Sequence, residues 1–215
     1  MVYFLISKMN IPFTKGFVKK AKSHDISILK QMREFFGYKS LTHLMWRIDW
    51  RGSNKENLIE MLRQDLIYAN PILKTQAQKY INLSDDKKII AILQLVTNRL
   101  TYTKDSIKWK TPDMWQDPLE TWQSRTGDCE DGSRLIFCLG RLAGIPDEKL
   151  WFICGSVIGG GHAMVEYLDA SLRSYIIDWC YYPDFTCIEE RPTSNMKRYI
   201  KDIWFYVNDM EVFKR

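Results

Sequence analysis

The sequence predicts an α+β fold: a helical first half, then one further helix followed by a run of antiparallel strands. Three observations carry this. Apolar residues recur at i, i+3 and i+4 up to Leu100. Segments rich in β-branched and aromatic residues, with turn signals between them, fill the last third of the chain. Helices and strands are segregated rather than alternating, which argues against a parallel sheet built from βαβ units.

Residues 24–36 carry Ile28, Leu29, Met32, Phe35 and Phe36 at helical spacing, and Gly37 is a fitting stop. Residues 41–50 read as a short helix. Residues 54–69 form a clearer one, with Leu58, Met61, Leu62, Asp65 and Leu66 on adjoining rows and Pro71 just past the end. Residues 72–82 follow as a further helical stretch. Residues 84–100 begin with Ser84 as an N-cap and place Asp85 and Asp86 in the first turn, where they complement the helix dipole. Thr101 to Arg125 reads as a long, polar, Trp-rich loop, a type of connection that often carries function. A helix over about 129–143 ends at Gly144 and Pro146. Strands are expected over 151–158, 162–168 and 174–180, and a closing hairpin over 203–207 and 210–213.

The chain has 215 residues, 46% hydrophobic and 27% charged, enough for a full core and far from a disordered composition. The formal net charge of +5 is too mild to single out nucleic acid as a partner. Basic residues cluster at the front (Lys15, Lys19, Lys20, Lys22, Lys30, Arg33), and their bland reading is a solvated helix face. The opening MVYFLISKMN lacks the order of a signal peptide, and no apolar run reaches the ~18 residues of a membrane span. A cytoplasmic protein is expected, or a virion component if the chain is phage-encoded. Five cysteines without regular spacing do not form a disulfide framework.

The chemistry centres on Thr126 to Ser133, TGDCEDGS. Cys129 stands at the start of a helix, where unpaired N–H groups favour a thiolate and can hold an oxyanion. A nucleophile needs a base. His162 follows Gly159-Gly160-Gly161 at the start of a strand, whereas His24 and His43 lie in the helical front half. The base needs an orienting acid, and Asp178 stands in the otherwise apolar IIDWC. A turn at Asp169-Ala170-Ser171 would make His162 and Asp178 direct cross-strand neighbours, with Cβ atoms ~5 Å apart. Cys, His and Asp so arranged would carry acyl-transfer chemistry. Gln123, Trp115 and Trp122 are candidate donors for the oxyanion or walls for the substrate. Cys138 and Cys154 read as core. A zinc site drawn from Cys180, Cys187 and His162 lacks the usual spacing and would consume the base.

The stretch from Lys88 to Tyr182 resembles the transglutaminase-like cysteine peptidases of bacteria and their phages, within the papain-like group. The resemblance lies in "NRLTYTKD", "DMWQDPLETWQSRTGDCEDGSRL", "GGGHAMVEYL" and "YIIDWC". It implies a papain-like, transglutaminase-like core in which a Cys-bearing helix packs on an antiparallel sheet, and a Cys129-His162-Asp178 triad. The expected division is a helical N-terminal extension, 1–83, before a peptidase domain, 84–215. The resemblance implies a thiol hydrolase acting on a peptide or protein substrate, with transglutaminase-type transfer to an amine as the alternative. A further alternative is a structural or adaptor protein that keeps the fold, with residues 1–83 binding an assembly partner. No cofactor is required. Some members use carboxylates around the cysteine to bind calcium, and Asp128, Glu130 and Asp131 match that motif. The competing reading is that these three acids cap the helix, because calcium wants six to eight oxygens and successive helix-start residues point in different directions. Where such family members carry an aromatic and an alanine after GDCED, Gly132 and Ser133 stand here.

Overall fold

A five-stranded antiparallel sheet, with one buried helix against its face, organises the computed structural model, which describes residues 55–110, 113–184, 186–192 and 200–213. The helices expected over 24–36 and 41–50, and the basic cluster at Lys15 to Arg33, lie outside the described residues. So do the remaining first residues of the expected extension.

Among the described residues three helices come first: α1 (Lys55–Ile67), α2 (Pro71–Gln78) and α3 (Asp85–Arg99). Asn70 caps α2 by accepting the Ile72 N–H at 2.9 Å, and Pro71 takes the first helical position, where no N–H is needed. Ser84 occupies the N-cap position of α3 but makes no side-chain cap bond, so the helix start rests on Asp85 and Asp86. The apolar rows of all three helices (Leu58, Met61 and Leu62; Leu73 and Ala77; Ile89, Ile92, Leu93 and Val96) enter the main core. Residues 55–78 therefore share that core with the segments that follow the expected boundary at residue 83.

The expected loop from Thr101 to Arg125 is shorter than it read. It holds β1 (Thr101–Tyr102), α4 (Asp105–Lys108) and α5 (Pro118–Ser124). Both helices are too short to print a periodic pattern. Asp117 caps α5 through the Glu120 N–H at 2.7 Å, and Arg125 closes it in the left-handed region, φ 58°. β1 pairs in parallel with β2 (Thr126–Gly127). That pairing fixes the backbone immediately before α6 (Cys129–Leu142), the central helix.

The sheet consists of β3 (Leu150–Val157), β4 (Gly160–Leu168), β5 (Ser174–Ile177), β6 (Ile200–Val207) and β7 (Val212–Phe213), in the order β5-β4-β3-β6-β7. Strand alternation divides its side chains. Phe152, Cys154, Ala163, Val165, Tyr175 and Ile177 face the main core with Leu135 and Leu139 of α6, whereas Ile153, Met164, Ile176 and Ile203 form a smaller cluster.

One register expectation needs correction. β4 and β5 pair Leu168 with Ser174 and Val165 with Ile177, so continuation would set Asp178 opposite Met164, not His162. The turn is centred one residue later than expected, on Ser171, which moves each cross-strand partner by two. The Asp169 carboxylate accepts the Ser171 and Arg173 N–H groups at 2.8 and 2.9 Å, and Leu172 adopts φ 61°. A two-residue shift preserves the face, so His162 and Asp178 become diagonal rather than direct neighbours. β5 also ends at Ile177, earlier than the expected 180.

Candidate active site

His162 and Asp178 meet. Nε2 of His162 lies 2.7 Å from Oδ2 of Asp178, and both side chains are buried. The other carboxylate oxygen, Oδ1, accepts the Cys180 N–H at 2.8 Å and the Tyr181 N–H at 3.3 Å. Arg191 donates to the Asp178 carbonyl at 3.3 Å and to the Ile176 carbonyl at 3.0 Å. The acid is thus fixed by the backbone that follows it, in a turn rather than a strand. Tyr181 stands edge-on to the His162 ring, with centroids 4.9 Å apart.

Cys129 approaches the same place from α6. Its thiol donates to Glu130 Oε2 at 3.1 Å, and the backbone of Ala163, the residue after His162, is near enough to favour a thiolate there. Two contacts fasten the helix start to this end of the sheet. Ser133 Oγ donates to the Ala163 carbonyl at 3.1 Å, and Trp179 Nε1 donates to the Cys129 carbonyl at 3.4 Å. Gly132 makes the second contact feasible, since a Cβ there would stand 2.2 Å from Trp179 Nε1. Gly132 and Ser133 are therefore the residues that touch the Asp178 turn and the His162 strand.

The helix start was expected to lower the thiol pKa. In this structure burial pushes the Cys129 thiol well up, and the nearby Glu130 and Asp128 carboxylates push it the same way. The acids themselves are raised too. Burial is the main cause for Asp128, Glu130 and Asp131, followed for Glu130 and Asp131 by the charge on Asp128. The contact between Asp128 and Glu130 raises the Glu130 carboxyl further and lowers that of Asp128.

These three acids divide their work. Asp131 caps the helix, accepting the Asp128 N–H at 3.3 Å. It also accepts the Gln116 backbone N–H at 2.7 Å and the Gln116 side-chain amide. Gln116 is held in turn by Lys108 Nζ at 2.6 Å and by Arg134, which donates to the Gln116 carbonyl at 3.0 Å. Arg134 makes a buried bidentate pair with Asp65 of α1, at 2.5 and 2.6 Å. This chain of contacts folds the Trp-rich segment onto the start of α6 and brings two acids the sequence reading missed, Asp105 and Asp113, against it.

Oxygens of Asp105, Asp113 and Glu130 lie within 4.8 Å of one another, as do those of Asp105, Asp128 and Asp131. Asp105 Oδ1, Asp128 Oδ1 and Glu130 Oε1 are buried without a hydrogen-bond partner among the described residues. Burial, then the Asp128 charge, raises the Asp105 carboxyl to about 7. Clustered carboxylates with orphaned oxygens, drawn from two separate segments, fit a hard cation such as calcium. The objection that helix-start residues diverge is met by acids arriving from elsewhere in the chain.

The remaining candidates sit apart from this chemistry. Gln123 is exposed on α5. Trp115 is buried against Phe152, with centroids 5.7 Å apart, and Trp122 lies beneath the Arg99 guanidinium at 3.6 Å. Cys138 and Cys154 are core, as expected, and Cys187 is exposed. A helix bearing a cysteine at its start, packed on an antiparallel sheet that carries the histidine, defines a papain-like core. No family model and no curated protein matches the sequence. By structure the chain is similar to Legionella pneumophila LapG: the EGTA-treated form superposes with a TM-score of 0.50 and 16% identity, over 73% of this chain and 85% of that one. The calcium-bound form gives 0.44 and 16%, over 82% and 86%. A candidate cysteine protease of Cytophaga hutchinsonii gives 0.40 and 19%, over 64% and 46%.

Proposed function

We propose that the protein is a thiol hydrolase that cleaves a peptide or isopeptide bond through an acyl-thioester. The observation that supports this most is the buried His162–Asp178 pair, held against the helix that starts at Cys129 by the Ala163 and Trp179 contacts. Asp178 holds Nε2–H of the imidazole, so Nδ1 is the base. The thiol turns from Glu130 to give its proton to His162, and the sulfur attacks the carbonyl carbon. The oxyanion forms at the Cys129 backbone N–H, at the positive end of α6. His162 returns the proton to the leaving amine, which departs and leaves the thioester. Water then attacks, with His162 taking its proton, and the acid is released as the thiol re-forms.

The carboxylate cluster suits this reading. Asp105, Asp113, Asp128 and Glu130, with Asp131 oriented by Gln116, would hold a calcium ion. When bound, the ion supplies positive charge that offsets the acids facing the sulfur. LapG has been observed both calcium-bound and EGTA-treated, which makes calcium the first cation to try.

The test is alkylation of Cys129 at neutral pH in the presence of calcium, with acyl-thioester trapping from a peptide mixture followed by mass spectrometry. We expect fast labelling that His162→Ala slows by at least ~100-fold, and an acyl adduct confined to Cys129. Equal labelling of both proteins, with no adduct, overturns the proposal. Adding a labelled primary amine separates hydrolysis from transfer: incorporation of the label into the peptide marks a transglutaminase.

A further inference from the structure

Beside the His162–Asp178 pair stands a third group that the hydrolytic scheme does not use. Cys180 is half-buried, and its sulfur, a ring nitrogen of His162 and a carboxylate oxygen of Asp178 all lie within 4.8 Å of one another. The sequence reading had grouped His162 with Cys180 and Cys187. The structure leaves Cys187 outside the group and puts Asp178 in its place.

The donor set is one thiol, one imidazole and one carboxylate. That is the mixed sulfur, nitrogen and oxygen set that suits zinc, and it differs in kind from the all-oxygen cluster around Asp128. The spacing is close to what such an ion needs. Bonds of ~2.0 Å to nitrogen and oxygen and ~2.3 Å to sulfur put tetrahedral ligand atoms ~3.3–3.5 Å apart. His162 Nε2 and Asp178 Oδ2, now at 2.7 Å, would part by roughly 0.6 Å to reach that spacing. Other pairs in the group start no more than 4.8 Å apart, so side-chain adjustments of about an ångström complete the geometry. The backbone is already set for it. The Asx turn at Asp178, closed by the Cys180 N–H at 2.8 Å and held by Arg191, keeps acid and thiol together. Three protein ligands leave a fourth position for water or another ligand.

We propose that His162, Asp178 and Cys180 form a binding site for a soft divalent cation of the zinc class, and that filling it switches the thiol chemistry off. Binding releases the Cys180 proton to solvent and involves no redox change. An imidazole that ligates the ion cannot take the Cys129 proton, and an acid that ligates it no longer orients the imidazole. The binding half stands on the geometry alone. The switching half rests on the thiol hydrolase reading.

Cobalt(II) is the probe, titrated into the full chain with excess calcium present to fill the oxygen cluster. Cys129→Ala serves as the background, so that any thiolate signal comes from another cysteine. We expect one equivalent of cobalt to produce a near-ultraviolet thiolate-to-cobalt band. Adding Cys180→Ser removes the band. Adding His162→Ala weakens binding by at least about tenfold. Circular dichroism confirms that each variant is folded. The absence of a band in Cys129→Ala, or a band that survives Cys180→Ser, overturns the site. In the protein with Cys129 intact, zinc stops hydrolysis, and Cys180→Ser retains turnover while losing at least about tenfold in sensitivity to zinc. Equal sensitivity in both overturns the switch. A cobalt band in a protein that never hydrolyses any peptide supports the cation site and overturns the thiol hydrolase reading, so the two failures are distinguishable.

Discussion

Replacing Gly132 by alanine sets two effects against each other, and the structure decides the sign. In the interior of a helix, Gly→Ala ordinarily stabilises by about 1 kcal/mol. At Gly132 the new methyl would stand 2.2 Å from Nε1, 2.3 Å from Cε2 and 2.8 Å from Cδ1 of Trp179. Ordinary contact begins at 3.4 Å, so the ring must retreat by about 1.2 Å. Three atoms of one rigid indole are involved, and Trp179 is only 4% exposed, so it cannot swing into solvent. Overpacking of this kind costs roughly 1–3 kcal/mol, and a clash with a stiff ring belongs at the upper end. The net expectation is a loss of about 2 kcal/mol, or roughly 4–8 °C in Tm for a chain of this size. Because Trp179 follows Asp178 directly, the retreat also pulls on the acid, and Cys129 alkylation should slow. Gly140→Ala, on the same helix, is the control. Its Cβ meets the end of a flexible leucine, Leu150 Cδ2 at 2.8 Å, and should be near neutral or stabilising. Thermal melts and alkylation rates on the two variants make the test. If Gly132→Ala melts as high as Gly140→Ala and labels at the native rate, Gly132 is not the seat of Trp179, and the account of how the Asp178 turn is held to α6 is refuted.

Further predictions concern the supports of the site. Asp65→Ala leaves the Arg134 guanidinium buried and uncompensated, since it is 2% exposed and paired at 2.5 and 2.6 Å; urea denaturation should show a loss of about 3–5 kcal/mol. Calcium at about 100 times its Kd should stabilise the chain by about 2.7 kcal/mol, seen as a rise in Tm that Asp105→Asn combined with Asp128→Asn abolishes; an equal rise in that variant would place the ion elsewhere. At Asp169 burial opposes ionisation, but hydrogen bonds from Ser171 and Arg173 outweigh it and hold the carboxyl down at about 2. A depressed acid stabilises fully above its unfolded value of 3.8 and loses that contribution as pH falls through 2. Melts from pH 5 to pH 2 should therefore fall more steeply for the native chain than for Asp169→Asn.

What could be read from the sequence follows from the range of each signal. The helices at Lys55–Ile67 and Asp85–Arg99, the Cys129 helix and the strands print their periods directly on apolar residues, so their existence and order were legible. The β4–β5 register was not, because it depends on a turn in which the Asp169 carboxylate and a left-handed Leu172 add two residues to the loop. The shift was even, so the expectation that His162 and Asp178 share a face held although the direct pairing did not. Asp105 and Asp113 left no trace as members of the acidic cluster. Their approach depends on Lys108 and Arg134 gripping Gln116, contacts between residues that no local pattern links.

The position after the motif was the least legible and the most instructive. Gly132 and Ser133 stand where the proteins that the sequence resembles carry an aromatic and an alanine, and small residues there suit close approach. In the structure one admits Trp179 and the other bonds the Ala163 carbonyl. Trp179, an aromatic from the Asp178 turn, fills the space over Gly132. That packing couples the turn that bears the acid to the helix that bears the cysteine. A small residue at 132 and a large one at 179 form a matched pair. Exchanging only one of them should cost more than the change in volume alone implies.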